Sequence, residues 1–271
     1  MPYTLNYHIY HHFLPNRTYD IQATPQEVEF LTEEGYLVYE RLFSEEQTEE
    51  LRLALDWVAE QEGHLARSGQ NWGGIFLRHL MEKHPAFLKL FRFEPGLSLA
   101  RATLGPQVQV LPMTGRIAYP DTDGQATPWH IHQRVVPKPL PPFFSMPHVL
   151  DCLIYLDDVD DASGPLCIVP GSHKRIYEEF PNASYHEDLP EQKVIRVPAG
   201  SCVVIHGNVF HRGLPTTPEG KVRRLLILPY TASWIQLPSF GERPKNGLMA
   251  SLYENPDQET RELLGMPEGL Y

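Results

Sequence analysis

The pattern of hydrophobic and polar positions changes texture once along this chain. Up to about residue 106 apolar residues recur at helical spacing; beyond it they gather in short runs broken by turn residues. Thr24-Pro25-Gln26-Glu27 is a capping box with proline at the first helical position, predicting a short helix that stops at Gly35. Tyr36-Leu37-Val38-Tyr39 reads as a strand. Residues 44–47 form a second capping box, and Leu51, Leu55 and Val58 hold the apolar stripe of a helix running to about residue 61. Helical fragments are expected over 76–82, 86–92 and 96–104, with Gly105-Pro106 as the stop. Strands are expected over 108–111, 115–119, 129–135, 149–156, 166–169, 194–197, 202–206 and 223–229. Strands at this spacing suggest a sandwich or barrel of jelly-roll type. With no repeat or linker to divide the chain, we expect one domain of α+β class, mostly β. It comprises a helical flank (1–106), a β core (107–230) and a C-terminal lid or tail (231–271).

Composition narrows the possibilities. A chain of 271 residues suits one large domain, and 42% hydrophobic residues are enough for a sizeable core. The 26 prolines exceed the usual share and predict many loops. A formal net charge of -11 argues against nucleic acid or an acidic membrane surface as partner, because both select basic proteins. No apolar run approaches a membrane span, and the N-terminus has no signal-peptide core. Cys152, Cys167 and Cys202 all lie in apolar runs; an odd count without paired spacing suits reduced thiols and the cytoplasm.

Candidate chemistry concentrates in Thr127-Pro128-Trp129-His130-Ile131-His132-Gln133. In an extended strand His130 and His132 face the same side, and two imidazoles on one face can share a metal ion. Among thirteen histidines, a chance pair in solvent is the competing reading. Downstream, an apolar strand leads to His206 and His211, of which the loop-end His211 is the better third ligand. His206 and His173, the latter just after the turn Pro170-Gly171-Ser172, are assigned structural roles. Lys221-Val222-Arg223-Arg224 opens another apolar strand. Successive strand residues point to opposite faces, so one arginine aims inward, where only an anion makes its burial tolerable. A bidentate carboxylate is the natural partner. Thr114 and Arg116, on the strand before the histidine pair, are further candidates for meeting a cosubstrate or substrate carboxylate. Exposed strand residues are the plainer alternative for Arg116 and for the arginine pair. Residues 1–23, with Tyr3, Tyr7, His8, Tyr10, His11, His12 and Phe13, read as an aromatic arm over the domain.

Taken in order, these parts resemble the phytanoyl-CoA dioxygenase-like family of iron(II)/2-oxoglutarate oxygenases, over about residues 26 to 230. Phe30-Leu31-Thr32-Glu33-Glu34-Gly35-Tyr36-Leu37-Val38, then Leu42-Phe43-Ser44 and a helix, look like the family's opening. Trp129-His130-Ile131-His132-Gln133 stands where the family carries its His-x-Asp iron motif. Asp161-Ala162-Ser163-Gly164-Pro165-Leu166 and Val169-Pro170-Gly171-Ser172-His173-Lys174 look like its most recognisable signature. Ile205-His206-Gly207 with His211 matches the segment of the distal iron histidine. Arg223 falls where the 2-oxoglutarate arginine is expected, with Arg224 as second choice because the interval after His211 is one residue longer. The resemblance implies a double-stranded β-helix, the jelly roll of cupin-like proteins, using Fe(II), 2-oxoglutarate and O2 to oxidise a small molecule.

One position departs from the family: His132 stands in place of the aspartate. Three neutral histidines leave Fe(II) with two net positive charges, which the dianionic cosubstrate would neutralise. Histidine also fills the vacancy that halogenating relatives keep for halide, so halogenation is disfavoured. Two alternatives stand beside the oxygenase. One is a three-histidine enzyme independent of 2-oxoglutarate, either a cupin-like dioxygenase or a zinc centre activating water. The cupin version lacks its expected glutamate, since Val135-Val136-Pro137 stands there. The other is a binding protein without turnover. The proline-rich loop 137–146 and the tail 234–240 are candidate lids, with ordinary surface packing as the alternative.

Overall fold

The computed structural model describes residues 3–7, 17–63, 74–120, 126–132, 148–175, 186–235 and 247–266. In chain order the elements are β1 (Tyr3–Tyr7), β2 (Arg17–Ile21), α1 (Pro25–Glu34), β3 (Tyr36–Tyr39), α2 (Glu45–Gln61), β4 (Ile75–Leu77), α3 (Pro85–Leu88) and α4 (Gly96–Leu104). There follow β5 (Val108–Val110), β6 (Thr114–Ala118), β7 (Leu150–Tyr155), β8 (Leu166–Val169), β9 (Lys193–Ile195), β10 (Ser201–His206), β11 (Phe210–Gly213), β12 (Arg223–Ala232) and α5 (Gln258–Leu263).

Both long helices start as their capping residues dictate. The Thr24 side chain accepts from the Glu27 amide while the Glu27 carboxylate takes the Thr24 amide, and Ser44 and Gln47 repeat the exchange at α2. Gly35 closes α1 at a φ of 80°, returning its N–H to the Leu31 carbonyl. A side chain there would also collide with His173, whose Nδ1 lies 2.5 Å from the position of a Cβ.

The strands form two main antiparallel sheets. The larger has seven strands in the order β3-β10-β7-β12-β6-β4, with β5 pairing the far end of β12; the smaller runs β11-β8-β9. The larger sheet is buried on both faces. Its outer face, carrying Cys152, Ile154, Cys202, Val204, Leu226 and Leu228, packs in one cluster with Leu51, Leu55 and Val58 of α2 and with Leu97 of α4. Its inner face contributes Leu153, Tyr155, Val203, Ile205 and Leu225 to a second cluster, which Leu166, Ile168 and Ile195 of the smaller sheet complete. That double burial is why β7 and β10 read as unbroken apolar runs rather than alternating ones. Helix and strand occur in similar amounts, giving a mixed, antiparallel-sheet protein.

Several expectations need correction. Residues 76–82 were expected to be helical, yet Ile75-Phe76-Leu77 pairs with β6 and only Leu80–Glu82 turns, as a 3-10 helix. The alternating burial of those three residues is the period of a strand, too short to read from composition. Of the run 129–135, residues 133–135 lie outside the described residues and 129–132 are not a strand. Pro128 has no N–H to give, and His130 alone makes a β-bridge, to His211. β11 was unforeseen because its four residues, Phe-His-Arg-Gly, carry little apolar signal. Residues 8–13 of the expected aromatic arm lie outside the described residues.

Leu226 lies fully buried where β12 meets the helical layer. Leu226→Ala should lower stability by about 2–5 kcal/mol. Urea unfolding should show this as a lower midpoint with unchanged slope.

Candidate metal centre

The site begins with backbone pairing. His211, central in β11, pairs with Ile168 of β8, and both side chains face the interior between the sheets. On its other edge β11 meets the segment 126–132. His130 N–H donates to the His211 carbonyl at 2.9 Å and receives the His211 N–H at 3.1 Å. One residue pair on, Thr127 N–H reaches the Gly213 carbonyl, and the Gly213 N–H returns to the Thr127 hydroxyl at 2.7 Å. His132 N–H is held by the Gly207 carbonyl at 2.7 Å.

Between the histidines the chain points the other way. Trp129 is fully buried, stacks on Phe210 at 5.1 Å and lies under the Arg212 guanidinium at 4.9 Å. Its indole N–H donates to the Glu187 carbonyl at 2.9 Å. With Trp129 anchored outward, His130 is turned inward.

The three imidazoles therefore converge. Ring centroids lie 4.3 Å apart for His130 and His211, 4.8 Å for His132 and His211, and 5.5 Å for His130 and His132. One ligand atom from each lies within 4.8 Å of the others. Each ring has its Nδ1 engaged: His130 with the Pro128 carbonyl at 2.8 Å, His211 with the Val209 carbonyl at 2.8 Å, and His132 with a carboxylate oxygen of Asp151 at 2.7 Å. All three partners accept, so each Nδ1 carries a proton, and Nε2 is the ring atom that could meet a metal. Burial, reinforced by His130 and His132, holds the His211 pKa well below the usual imidazole range. His211 is thus kept neutral, the state a metal requires. His211 is buried while His130 and His132 are half-buried, so the site is open on one side. This donor set fits a divalent metal of the iron–zinc type.

The two candidate arginines go to opposite faces. Arg224 points to the helical layer, where Asp56 takes its Nε and Nη2 at 2.7 and 2.9 Å and Asp157 takes its Nη1 at 3.2 Å. Arg223 points inward with Leu225 and is 4% exposed. Among the described residues its Nε has no hydrogen-bond partner. Burial lowers its pKa, while Tyr155 acts in the opposite sense. Gly164 leaves room for it, since a Cβ there would come within 2.7 Å of the guanidinium. Arg116 shares the inward face of β6 with buried Thr114 and is itself half-buried. Its pKa is pushed down to about 10, first by burial and then by the neighbouring Arg223.

His173 and His206 pack on each other at 4.7 Å, apart from the three-histidine group. His173 Nε2 meets the Thr32 carbonyl, and His206 Nδ1 accepts the Asn208 N–H at 3.0 Å. Gln133 and residues 137–146 lie outside the described residues; Trp234 of the tail is 54% exposed.

One residue was passed over in the sequence. Asp151, on β7, is 3% exposed and touches His132. Its signal was an acid inside the otherwise apolar run 149–156.

Two antiparallel sheets enclosing a cluster of three histidines, with a buried arginine on the same interior face, define a candidate mononuclear metalloprotein. The phytanoyl-CoA dioxygenase (PhyH) family model matches residues 31–224, and the chain belongs to that family. An ectoine dioxygenase of Bordetella parapertussis is 29% identical over 179 residues, covering 62% of this chain and 56% of that one. The chain thus spans just over half the length of that relative. An ectoine dioxygenase of Stutzerimonas stutzeri is 25% identical over 262 residues, with 82% of each chain covered. Among solved structures, HygX from Streptomyces hygroscopicus with nickel and 2-oxoglutarate bound aligns with a TM-score of 0.63 at 18% identity, covering 79% of this chain and 89% of that one. That likeness is one of fold. Among the described residues no helix is long and apolar enough to cross a membrane.

His206 supplies a pH prediction. Burial pushes its pKa down to about 3 from 6.5. Above pH 6.5 both folded and unfolded chains hold it neutral. Below that value the unfolded chain gains a proton that the folded chain refuses until near pH 3, so stability falls across this window. Thermal melts of His206→Gln should show a shallower acid decline between pH 6.5 and 4 than the parent, with metal content unchanged.

Proposed function

We propose that the chain is a non-haem Fe(II)/2-oxoglutarate-dependent oxygenase acting on a small molecule, with three histidines and no carboxylate as metal ligands. The observation that carries this reading is the convergence of three imidazoles in an interior to which Arg223 also points, buried and with its Nε unpartnered among the described residues. Family membership supports it, as do relatives named ectoine dioxygenases and a fold neighbour solved with nickel and 2-oxoglutarate. The two facing sheets are taken as a double-stranded β-helix, and the chain as a single domain with a helical flank (1–106), a jelly-roll core (107–230) and a lid or tail (231–271). Three buried free thiols fit a cytoplasmic setting.

His130, His132 and His211 would hold the iron through Nε2. Bound iron with 2-oxoglutarate and O2 supplies oxidative decarboxylation coupled to oxidation of the substrate. Arg223 positions the cosubstrate: a guanidinium buried without a carboxylate among its described neighbours is stabilised when a carboxylate enters and accepts its forked N–H groups. Gly164 keeps that approach free. Thr114 and Arg116, on the same face, are placed to meet the cosubstrate or an anionic group on the substrate. Arg224 is already paired twice and serves the scaffold.

Calorimetric titration of metal-loaded, oxygen-free protein with 2-oxoglutarate, followed by a succinate assay, tests the reading. Arg223→Leu should weaken binding by about 10- to 100-fold, the worth of a hydrogen-bonded charged group. Arg224→Leu should lower the melting temperature while leaving the affinity of the folded protein near that of the parent. A metal-loaded parent that neither binds 2-oxoglutarate nor forms succinate would overturn the oxygenase reading and favour zinc-type chemistry. His211→Ala should empty the metal site, read by elemental analysis.

A further inference from the structure

The three imidazoles are not held alike. Backbone carbonyls, neutral and fixed by the sheet, take the Nδ1 protons of His130 and His211. His132 instead gives its proton to a carboxylate, Asp151, across 2.7 Å. Asp151 sits on the inward face of β7, opposite Ile205 of β10 on one side and Pro229 of β12 on the other. It is 3% exposed, and a carboxylate so placed is costly unless a hydrogen-bond donor meets it. His132 is the donor the structure provides. Asp151 meets the Nδ1 of His132 and is not among the three side chains whose ligand atoms converge, so the acid acts through His132.

We propose that Asp151 is a positioning residue of the metal centre: its buried carboxylate fixes the tautomer of His132, aims Nε2 at the metal and lends that imidazole anionic character. An imidazole whose N–H is held by a carboxylate is a stronger donor than one held by a carbonyl. The centre then has one strong and two ordinary nitrogen donors, and part of the metal's charge is balanced from behind a ligand. This rests on the three-histidine ligand set proposed above and is independent of whether 2-oxoglutarate is turned over.

Anaerobic titration of the full chain with cobalt(II), in the absence of 2-oxoglutarate, tests the proposal. Asp151→Asn keeps the size of the side chain and removes its charge; it should weaken cobalt affinity about 10- to 100-fold and shift the visible absorption of the bound ion. An affinity within about twofold of the parent, with an unchanged spectrum, would overturn it, since typical outer-partner losses are larger. Full cobalt affinity in His132→Ala, with loss in Asp151→Ala, would also overturn it by making Asp151 the ligand. Should the Asp151 variants not fold, the parent's cobalt form still decides. Its paramagnetically shifted proton spectrum should contain three exchangeable imidazole N–H signals, and fewer than three would refute the assigned geometry. A parent that binds cobalt as described but forms no succinate would leave this proposal standing and defeat the oxygenase.

Discussion

The exchange of two backbone hydrogen bonds between His130 and His211 is the constraint on which the site depends. It joins the end of one segment to the middle of a strand about eighty residues later, and both residues are then obliged to face the same interior. Everything else at the centre refines this pairing. Trp129 and Phe210, immediately before each histidine, stack together outside and prevent either segment from rolling. The carbonyls of Pro128 and Val209, two residues before each histidine, fix the two tautomers in the same way. The pair is thus a local repeat of one device: aromatic outward, imidazole inward, ring proton returned to the chain two residues back.

The interior face brings together groups of opposite electrostatic demand. Three imidazoles converge as they would around a cation, and a guanidinium lies buried without a carboxylate among its described neighbours. A dicarboxylate bound to the metal at one end meets both demands, which neither an isolated metal nor an isolated anion does.

Much of this was legible in the chain, for identifiable reasons. Capping boxes are local, so α1 and α2 were readable from Thr24 and Ser44 alone. Buried central strands are long apolar runs, so β7, β10 and β12 stood out. The histidine pair was visible because strand periodicity makes His-x-His a one-sided arrangement. The choice between Arg223 and Arg224 was not legible, because it turns on Asp56 and Asp157, far away in sequence, claiming one of them. Asp151 was missed for the same reason: its meaning comes from a neighbour on another segment. Short edge pieces such as β4 and β11 carry too few residues for any period to show.

The pairing of Arg224 with Asp56 and Asp157 has a consequence for how β12 finds its place. A strand buried on both faces cannot use alternating polarity to tell a correct pairing from one displaced by a residue. Two adjacent arginines make the ambiguity worse, since a one-residue slip would put a guanidinium inward in either case. The two aspartates, one on the helical layer and one just past β7, hold Arg224 in the native alignment, and Asp157 takes its backbone N–H as well at 2.8 Å. The partners of Arg224, outside the interior, thus help to set which of the two arginines faces it.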